Sequence, residues 1–223
     1  MKRPNLILTA LALTLLYSVP ARAGLIVNGG FETPVTPSGS FTTLGTGNAS
    51  MTPWAITAGS VDVVNNGYWP AYQGLNSLDL NGSTGFPGTI SQTFATTMGA
   101  TYVLTFAYAN NADNPPLTAM ADVTVTGAGV LLADTVTHSG STRSNMDYTL
   151  YSKTFVADSA TATLTFTDRD LVFNQGIVLD AVDVNPSEAA VPEPASLALL
   201  GLGALGLAGY GARRRKTAAA PAK

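Results

Sequence analysis

The chain has 223 residues, no cysteine, one histidine and a formal charge of −3, so no disulfide braces it and the ligands zinc prefers are all but missing. That charge hides an asymmetry: between Gly24 and Ser187 three cations, Arg143, Lys153 and Arg169, stand against twelve acids, a charge of −9. So acidic a segment repels a phosphate backbone, which excludes nucleic acid as a partner and suits divalent cations or neutral ligands such as sugars.

The N-terminus reads Met1-Lys2-Arg3, an apolar run from Leu6 to Val19, then Ala21-Arg22-Ala23. A basic n-region, a short h-region and a small-x-small site predict a signal peptide over 1–23, cut after Ala23. The Sec translocon and signal peptidase are then the first partners. The alternative, a retained anchor, is disfavoured because the run is short for a bilayer and no stop-transfer segment follows.

From residue 24 the pattern is that of strands. Tyr102–Ala109 places large apolar residues at every second position; Ala121–Thr126 alternates Ala/Val/Val with Asp/Thr/Thr. In Ala160–Thr167, Ala162, Leu164 and Phe166 face one way and threonines the other. Period two with Thr, Val and aromatics predicts half-buried strands. Further strands are expected at Leu25–Val27, Trp54–Ile56, Val61–Val64, Ser77–Leu80, Thr89–Ala95, Val130–Thr137, Leu150–Val156 and Ile177–Val184, separated by Gly, Pro, Asn and Asp clusters. No amphipathic helix stands out before residue 190. The fold class this predicts is all-β, a jelly-roll β-sandwich over 24–187.

The C-terminus has three parts: Val191-Pro192-Glu193-Pro194, an uncharged apolar stretch over 195–212, and Arg213-Arg214-Arg215-Lys216. As a helix the stretch reaches about 27 Å, enough for the hydrocarbon core. The cations are expected to stay cytoplasmic and the prolines to mark the membrane–water boundary. A G-x-G-x-x-G run at Gly201–Gly206 lies inside this span without a βαβ setting and is no nucleotide fingerprint. The three parts resemble the PEP-CTERM signal of Gram-negative bacteria. The resemblance implies recognition of Pro192, Glu193 and Pro194 by an exosortase-type membrane peptidase, with Arg213, Arg214 and Arg215 closing the anchor. The expected segments are then 188–216 for sorting and anchoring, with a transmembrane helix at about 195–212, and a disordered tail over 217–223. The expected location is the inner membrane, followed by the cell envelope, surface or extracellular matrix.

Within the sandwich, Asn28-Gly29-Gly30-Phe31-Glu32 opens the segment, Ser77-Leu78-Asp79-Leu80-Asn81-Gly82 lies midway, and Leu179-Asp180-Ala181-Val182 closes it. Together these resemble the "choice-of-anchor C" family of bacterial secreted proteins, similar to plant cell-wall proteins with a galactose-binding-like jelly roll. The resemblance implies carbohydrate association or surface attachment. Asp180, in phase with Val178, Val182 and Val184, is expected on the apolar face, where an unpaired carboxylate is costly. Carbohydrate-binding jelly rolls often hold a structural calcium where first and last strands meet, and the matching positions are Glu32 with Asp180 or Asp183. The other reading pairs Asp180 with Arg169 or a backbone amide and leaves Glu32 exposed. The stretch Asp168-Arg169-Asp170 with Asn174 lacks the glycine and terminal acid of a calcium loop.

The loop Asn65–Gln73 offers Asn66, Tyr68, Trp69 and Tyr72 as sugar contacts, with aromatic faces for C–H faces and amides for hydroxyls. The competing reading puts Trp69 in the core, as it does Trp54. No catalytic constellation is recognisable, and catalytic residues are expected to be none. His138, in a polar turn, has no G-x-S-x-G elbow to serve. Asp62, Asp79 and Asp113 could meet in space, although no spacing singles out a pair. Three functions follow as expectations: a non-enzymatic surface or matrix protein associating with extracellular polysaccharide, a secreted glycan hydrolase, or a purely structural matrix component.

Overall fold

The computed structural model describes residues 24–84, 86–113, 118–171, 175–187 and 201–203. The chain divides into two units, Met1–Asn185 and Pro186–Lys223. In the second, Gly201, Leu202 and Gly203 are helical. No helix among the described residues is long and apolar enough to cross a membrane. The signal segment with Ala21 and Ala23, the sorting residues Pro192, Glu193 and Pro194, the basic Arg213, Arg214 and Arg215, the rest of the 195–212 span and the 217–223 tail lie outside the described residues.

The first unit is an all-β sandwich. Its strands are β1 Phe41–Gly45, β2 Ala55–Ala58, β3 Ser60–Asn65, β4 Asn76–Asp79, β5 Thr89–Ala95, β6 Thr101–Asn110, β7 Ala119–Thr126, β8 Val130–His138, β9 Thr149–Val156, β10 Thr161–Asp168 and β11 Ile177–Pro186. One sheet orders β1-β3-β4-β11-β6-β9 and the other β2-β5-β10-β7-β8. The β3–β4 and β7–β8 connections stay within a sheet, and every other connection crosses to the opposite one. Alternation delivers the core as the sequence predicts: Tyr102, Leu104 and Phe106 of β6 meet Ala162, Leu164 and Phe166 of β10 between the sheets. Trp54 packs beside Phe31 and Phe166 at centroid distances of 5.8 and 6.2 Å, and its indole N–H donates to the Asn28 carbonyl at 3.1 Å. Truncating a side chain buried in this way costs about 3–5 kcal/mol.

Two departures from the expected pattern shape the rest of the molecule. The six-stranded sheet is buried on both faces at β3 and β4. Val61, Val63 and Leu78 enter the main core, while Val64 joins Trp69, Ala109, Ala112, Met146 and Val178 in a second cluster on the outer face. Loops packed over that face build it.

The second departure is in β11. Ile177 and Leu179 belong to the main core, and so do Val182 and Val184, a three-residue step where alternation allows two. The extra residue sits at Asp180–Ala181, with Ala181 at φ +51°, a β-bulge that switches the strand's facing. Asp180 therefore shares the outer face with Val178, and the phase read from the sequence is corrected. Before the bulge β11 pairs with β4, Val178 opposite Asp79. After it the Val182 N–H donates to Gly29 O and the Leu25 N–H to Val184 O, both at 2.9 Å. A Cβ on Gly29 would stand 1.9 Å from that Val182 carbonyl oxygen, so only glycine fits. The opening and closing motifs thus meet in space. Leu25–Val27 forms no strand: the Gln92 side-chain amide takes both backbone groups of Val27, at 2.8 and 2.9 Å.

Candidate functional site

The outer face of the six-stranded sheet carries a cavity of about 210 Å³. Its floor is set by register: Asp62 on β3 lies directly opposite Asp79 on β4, both on the face away from the core, and both line the cavity. Each carboxylate is held by its neighbours. Asp62 accepts the Ser83 N–H at 3.3 Å and its hydroxyl at 2.7 Å. Asp79 accepts the Asn81 N–H at 2.9 Å and the Asn111 amide at 2.6 Å.

The wall is aromatic. Phe41, 38% exposed, meets the half-buried Tyr68 edge-on at 5.5 Å. The Tyr68 hydroxyl donates to Asp113 at 2.7 Å, and Arg143 donates to both Tyr68 Oη (2.7 Å) and Asp113 (2.5 Å) with its guanidinium 4.2 Å from the ring centroid. Burial and the Asp113 carboxylate both push the Tyr68 hydroxyl above the usual tyrosine range.

Electrostatically the cavity is short of cations. The three ion pairs among the described residues are Arg143–Asp113, Lys153–Asp134 and Arg169–Asp122. These use every cation of the sandwich. Asp62, Asp79, Asp168 and Asp180 are buried without one. Burial, with Asp62 and Asp168 adding repulsion, holds the Asp79 carboxyl well above the usual carboxylate range. Burial likewise raises Asp168 and Asp180 to about 7.

The sequence-predicted residues divide between this cavity and its surroundings. Tyr68 is at the wall. Trp69 borders the floor but is buried, its indole N–H donating to the Ser77 hydroxyl at 3.0 Å; it is a packing residue, which corrects its assignment as a stacking platform. Asn66 is exposed and does not line the cavity. Tyr72, 47% exposed, lies edge-on to Tyr148 at 5.7 Å in a separate groove.

Glu32 and Asp180 act on the loop that carries these aromatics. Glu32 Oε1 accepts the N–H groups of Leu75 (2.8 Å) and Asn76 (3.2 Å), and Asp180 accepts those of Gln73 (2.9 Å) and Ala181 (2.6 Å). The backbone-amide reading of Asp180 is the one observed; Arg169 is engaged elsewhere, on Asp122. Gly74, at φ +73°, would place a Cβ 2.0 Å from Glu32 Oε1. Both carboxylates border Gly30, and Asp183 lines the adjoining cavity of about 480 Å³ with Glu32. Asp183 itself accepts its neighbours' Val184 N–H and Asn185 amide at 2.8 and 2.7 Å.

His138 is not in the turn but ends β8. It is buried; Nδ1 accepts the Asn110 N–H (3.1 Å) and Nε2 donates to the Asp147 carbonyl (2.9 Å). Nδ1 is spent on the end of β6 and Nε2 on the loop that bears Arg143. Phe41, Ser83 and Asn111 were not visible as site residues, whereas Asp62, Asp79 and Asp113, left open as a possible meeting in space, do converge.

The family described as "Protein of unknown function (DUF642)" matches residues 24–185, the span of the resemblance carried by the opening and closing motifs, and the PEP-CTERM protein-sorting motif matches residues 190–216. Halomucin of Haloquadratum walsbyi is 32% identical over 178 residues, which is 75% of this chain and 2% of that protein. Among solved structures, TmCBM61 in complex with beta-1,4-galactotriose is similar with a TM-score of 0.46 at 16% identity, over 74% of this chain and 100% of that one. The CBM22-1 xylan-binding domain of Paenibacillus barcinonensis Xyn10C has a TM-score of 0.42 at 18% identity, over 70% and 99%. Similarities this distant bear on neither ligand nor activity.

Proposed function

We propose, for a chain that belongs to the DUF642 family and ends in a PEP-CTERM protein-sorting motif, an exported surface protein whose sandwich associates with extracellular polysaccharide. The sandwich, wound back and forth between its sheets, is read as a jelly roll of galactose-binding-like type. The C-terminal helix is its membrane anchor, and an exosortase-type peptidase its processing partner. The observation that carries the binding half is the outer-face cavity, where an aromatic wall of Phe41 and Tyr68 faces hydrogen-bonding groups of Asp62, Asp79 and Asn111. An apolar surface beside convergent polar groups is what a sugar ring, with its C–H faces and equatorial hydroxyls, requires.

Phe41 projects at the rim of an edge strand, so Phe41→Ala is expected to spare the fold and weaken oligosaccharide binding about tenfold, the worth of one aromatic contact. A panel of oligosaccharides titrated by calorimetry checks this; unchanged affinity, or no affinity for any glycan, contradicts it. Hydrolysis is the second reading, favoured by Asp62 and Asp79 standing opposite each other. Release of reducing ends, lost in Asp79→Asn, would favour it over simple binding.

Calcium is proposed as a structural partner at Gly30. The fit rests on two hard-oxygen donors, Glu32 and the fully buried Asp180, bordering one glycine with no cation paired to either among the described residues. Among the described residues no three Asp, Glu, His or Cys side chains gather to hold an ion, so backbone carbonyls would complete the set. A bound ion would neutralise both acids and tie the opening segment to the β11 bulge. Added calcium is then expected to stabilise the sandwich by about 2–3 kcal/mol at a hundredfold excess over its Kd, seen as a rise in Tm that Asp180→Asn abolishes. An unmoved Tm would remove calcium from the account.

A further inference from the structure

We infer that the outer-face cavity recognises a sugar unit bearing a protonated amine, as in a de-acetylated amino-sugar polymer. This rests on the carbohydrate reading above and names its ligand class.

The first ground is the charge balance of the cavity once filled. Asp62 and Asp79 are 5% and 1% exposed and stand directly across a strand pair, an arrangement in which like charges repel. What water still reaches them does so through the cavity itself. A ligand seated there removes that water, and burying a carboxylate against neutral groups alone is costly. Sugar hydroxyls would return part of the lost hydrogen bonding but none of the lost charge compensation. An ammonium returns both: its charge draws the raised Asp79 carboxyl back toward its ionised form, and its three N–H donors meet the remaining carboxylate lone pairs.

The second ground is that, among the described residues, no side chain is left to supply this cation. Arg143, bonded to two of the lining residues, is committed to Asp113 and to the Tyr68 hydroxyl. Lys153 and Arg169 are paired elsewhere, with Asp134 and Asp122. The third ground is the wall. The edge-on Phe41–Tyr68 pair offers aromatic surface next to the carboxylates, a combination that favours an organic cation on a carbon frame. A bare divalent ion would leave the wall and most of the 210 Å³ unused. Ser83 and Asn111 hold Asp62 and Asp79, which leaves the Ser83 hydroxyl oxygen as an acceptor and the second Asn111 amide N–H as a donor for ring hydroxyls.

The test uses the full chain in detergent, at mildly acidic pH where a sugar amine is charged. Glucosamine, N-acetylglucosamine and glucose oligomers of equal length are compared by calorimetry, with and without calcium. The glucosamine oligomer is expected to bind at least about tenfold more tightly than the others, the worth of one charged hydrogen bond. Asp62→Asn should remove most of that advantage, and added salt should erode it. Asp113→Asn, at a partly exposed position, releases Arg143 to repel the ammonium and is expected to lower the same advantage should Asp62→Asn fail to fold. Equal affinity for the acetylated or neutral oligomer overturns the inference and leaves the carbohydrate reading standing. So does binding that appears only with calcium while circular dichroism shows the fold unchanged. No binding of any oligomer overturns both.

Discussion

The sandwich is expected to lose stability as the pH rises from about 4 through about 7, the reverse of a protein whose acids are salt-bridged. The reason is Asp168, buried at the end of β10 and held near a pKa of about 7 by desolvation, with the neighbouring Asp170 carboxylate adding to it. Its pKa is raised on folding, so its contribution is full below the unfolded value near 4 and is lost as the pH climbs through the folded value. A shift of about three pH units corresponds to about 4 kcal/mol. Asp79 acts in the same direction, for the same first reason.

Asp168→Asn isolates the effect. Asp168 Oδ2 accepts the Asn81 amide at 2.9 Å, while Oδ1 is buried without a hydrogen-bond partner. The new amide can keep the first bond with its oxygen and turn its NH₂ toward the Asp170 carboxyl, which already interacts with this side chain. The variant is therefore expected to exceed the parent by a few kcal/mol at about pH 8 and to differ by less than about 1 kcal/mol near pH 4. Urea unfolding at the two pH values measures it. A parent that grows more stable toward pH 8, or a variant destabilised equally at both, contradicts the assignment.

The second large effect concerns the C-terminus. Replacing Pro192, Glu193 and Pro194 with alanine is expected to keep the whole population uncleaved in the membrane, because the motif is lost while the apolar stretch and its basic stop remain. Alanines also let a helix run back past the boundary that the prolines impose. Cell fractionation with immunoblotting against the sandwich reports both location and length. A variant with the parent's distribution and size would show that Pro-Glu-Pro plays no part in its fate.

How much of this was legible in the sequence depends on which physical signal was read. β6, β7 and β10 declare themselves by period two, because each buries one face against the opposite sheet. β1 did not: Phe41-Thr42-Thr43-Leu44-Gly45 is an edge strand with a single buried side chain, Leu44. The family motifs were legible, but why they belong together was not. That answer is the contact of Gly29 with the bulge at Asp180–Ala181. A bulge shifts phase by one residue without marking the sequence, and so Asp180 was assigned to the wrong face. The cavity was hidden for a similar reason. Asp62 and Asp79 are seventeen positions apart, and their pairing depends on a ten-residue connection from Asn66 to Leu75, whose length fixes no register. Of the two readings offered for Trp69 the core one holds; an aromatic in a polar loop looks exposed until another loop is seen packing over it.

Whether the outer-face cavity is where carbohydrate binds is read from a crystal structure of the sandwich soaked with an oligosaccharide. A sugar ring is expected against Phe41 and Tyr68, with hydrogen bonds to Asp62, Asp79 or Asn111. A sugar seated elsewhere, such as beside Tyr72 and Tyr148, with this cavity left to solvent would contradict it.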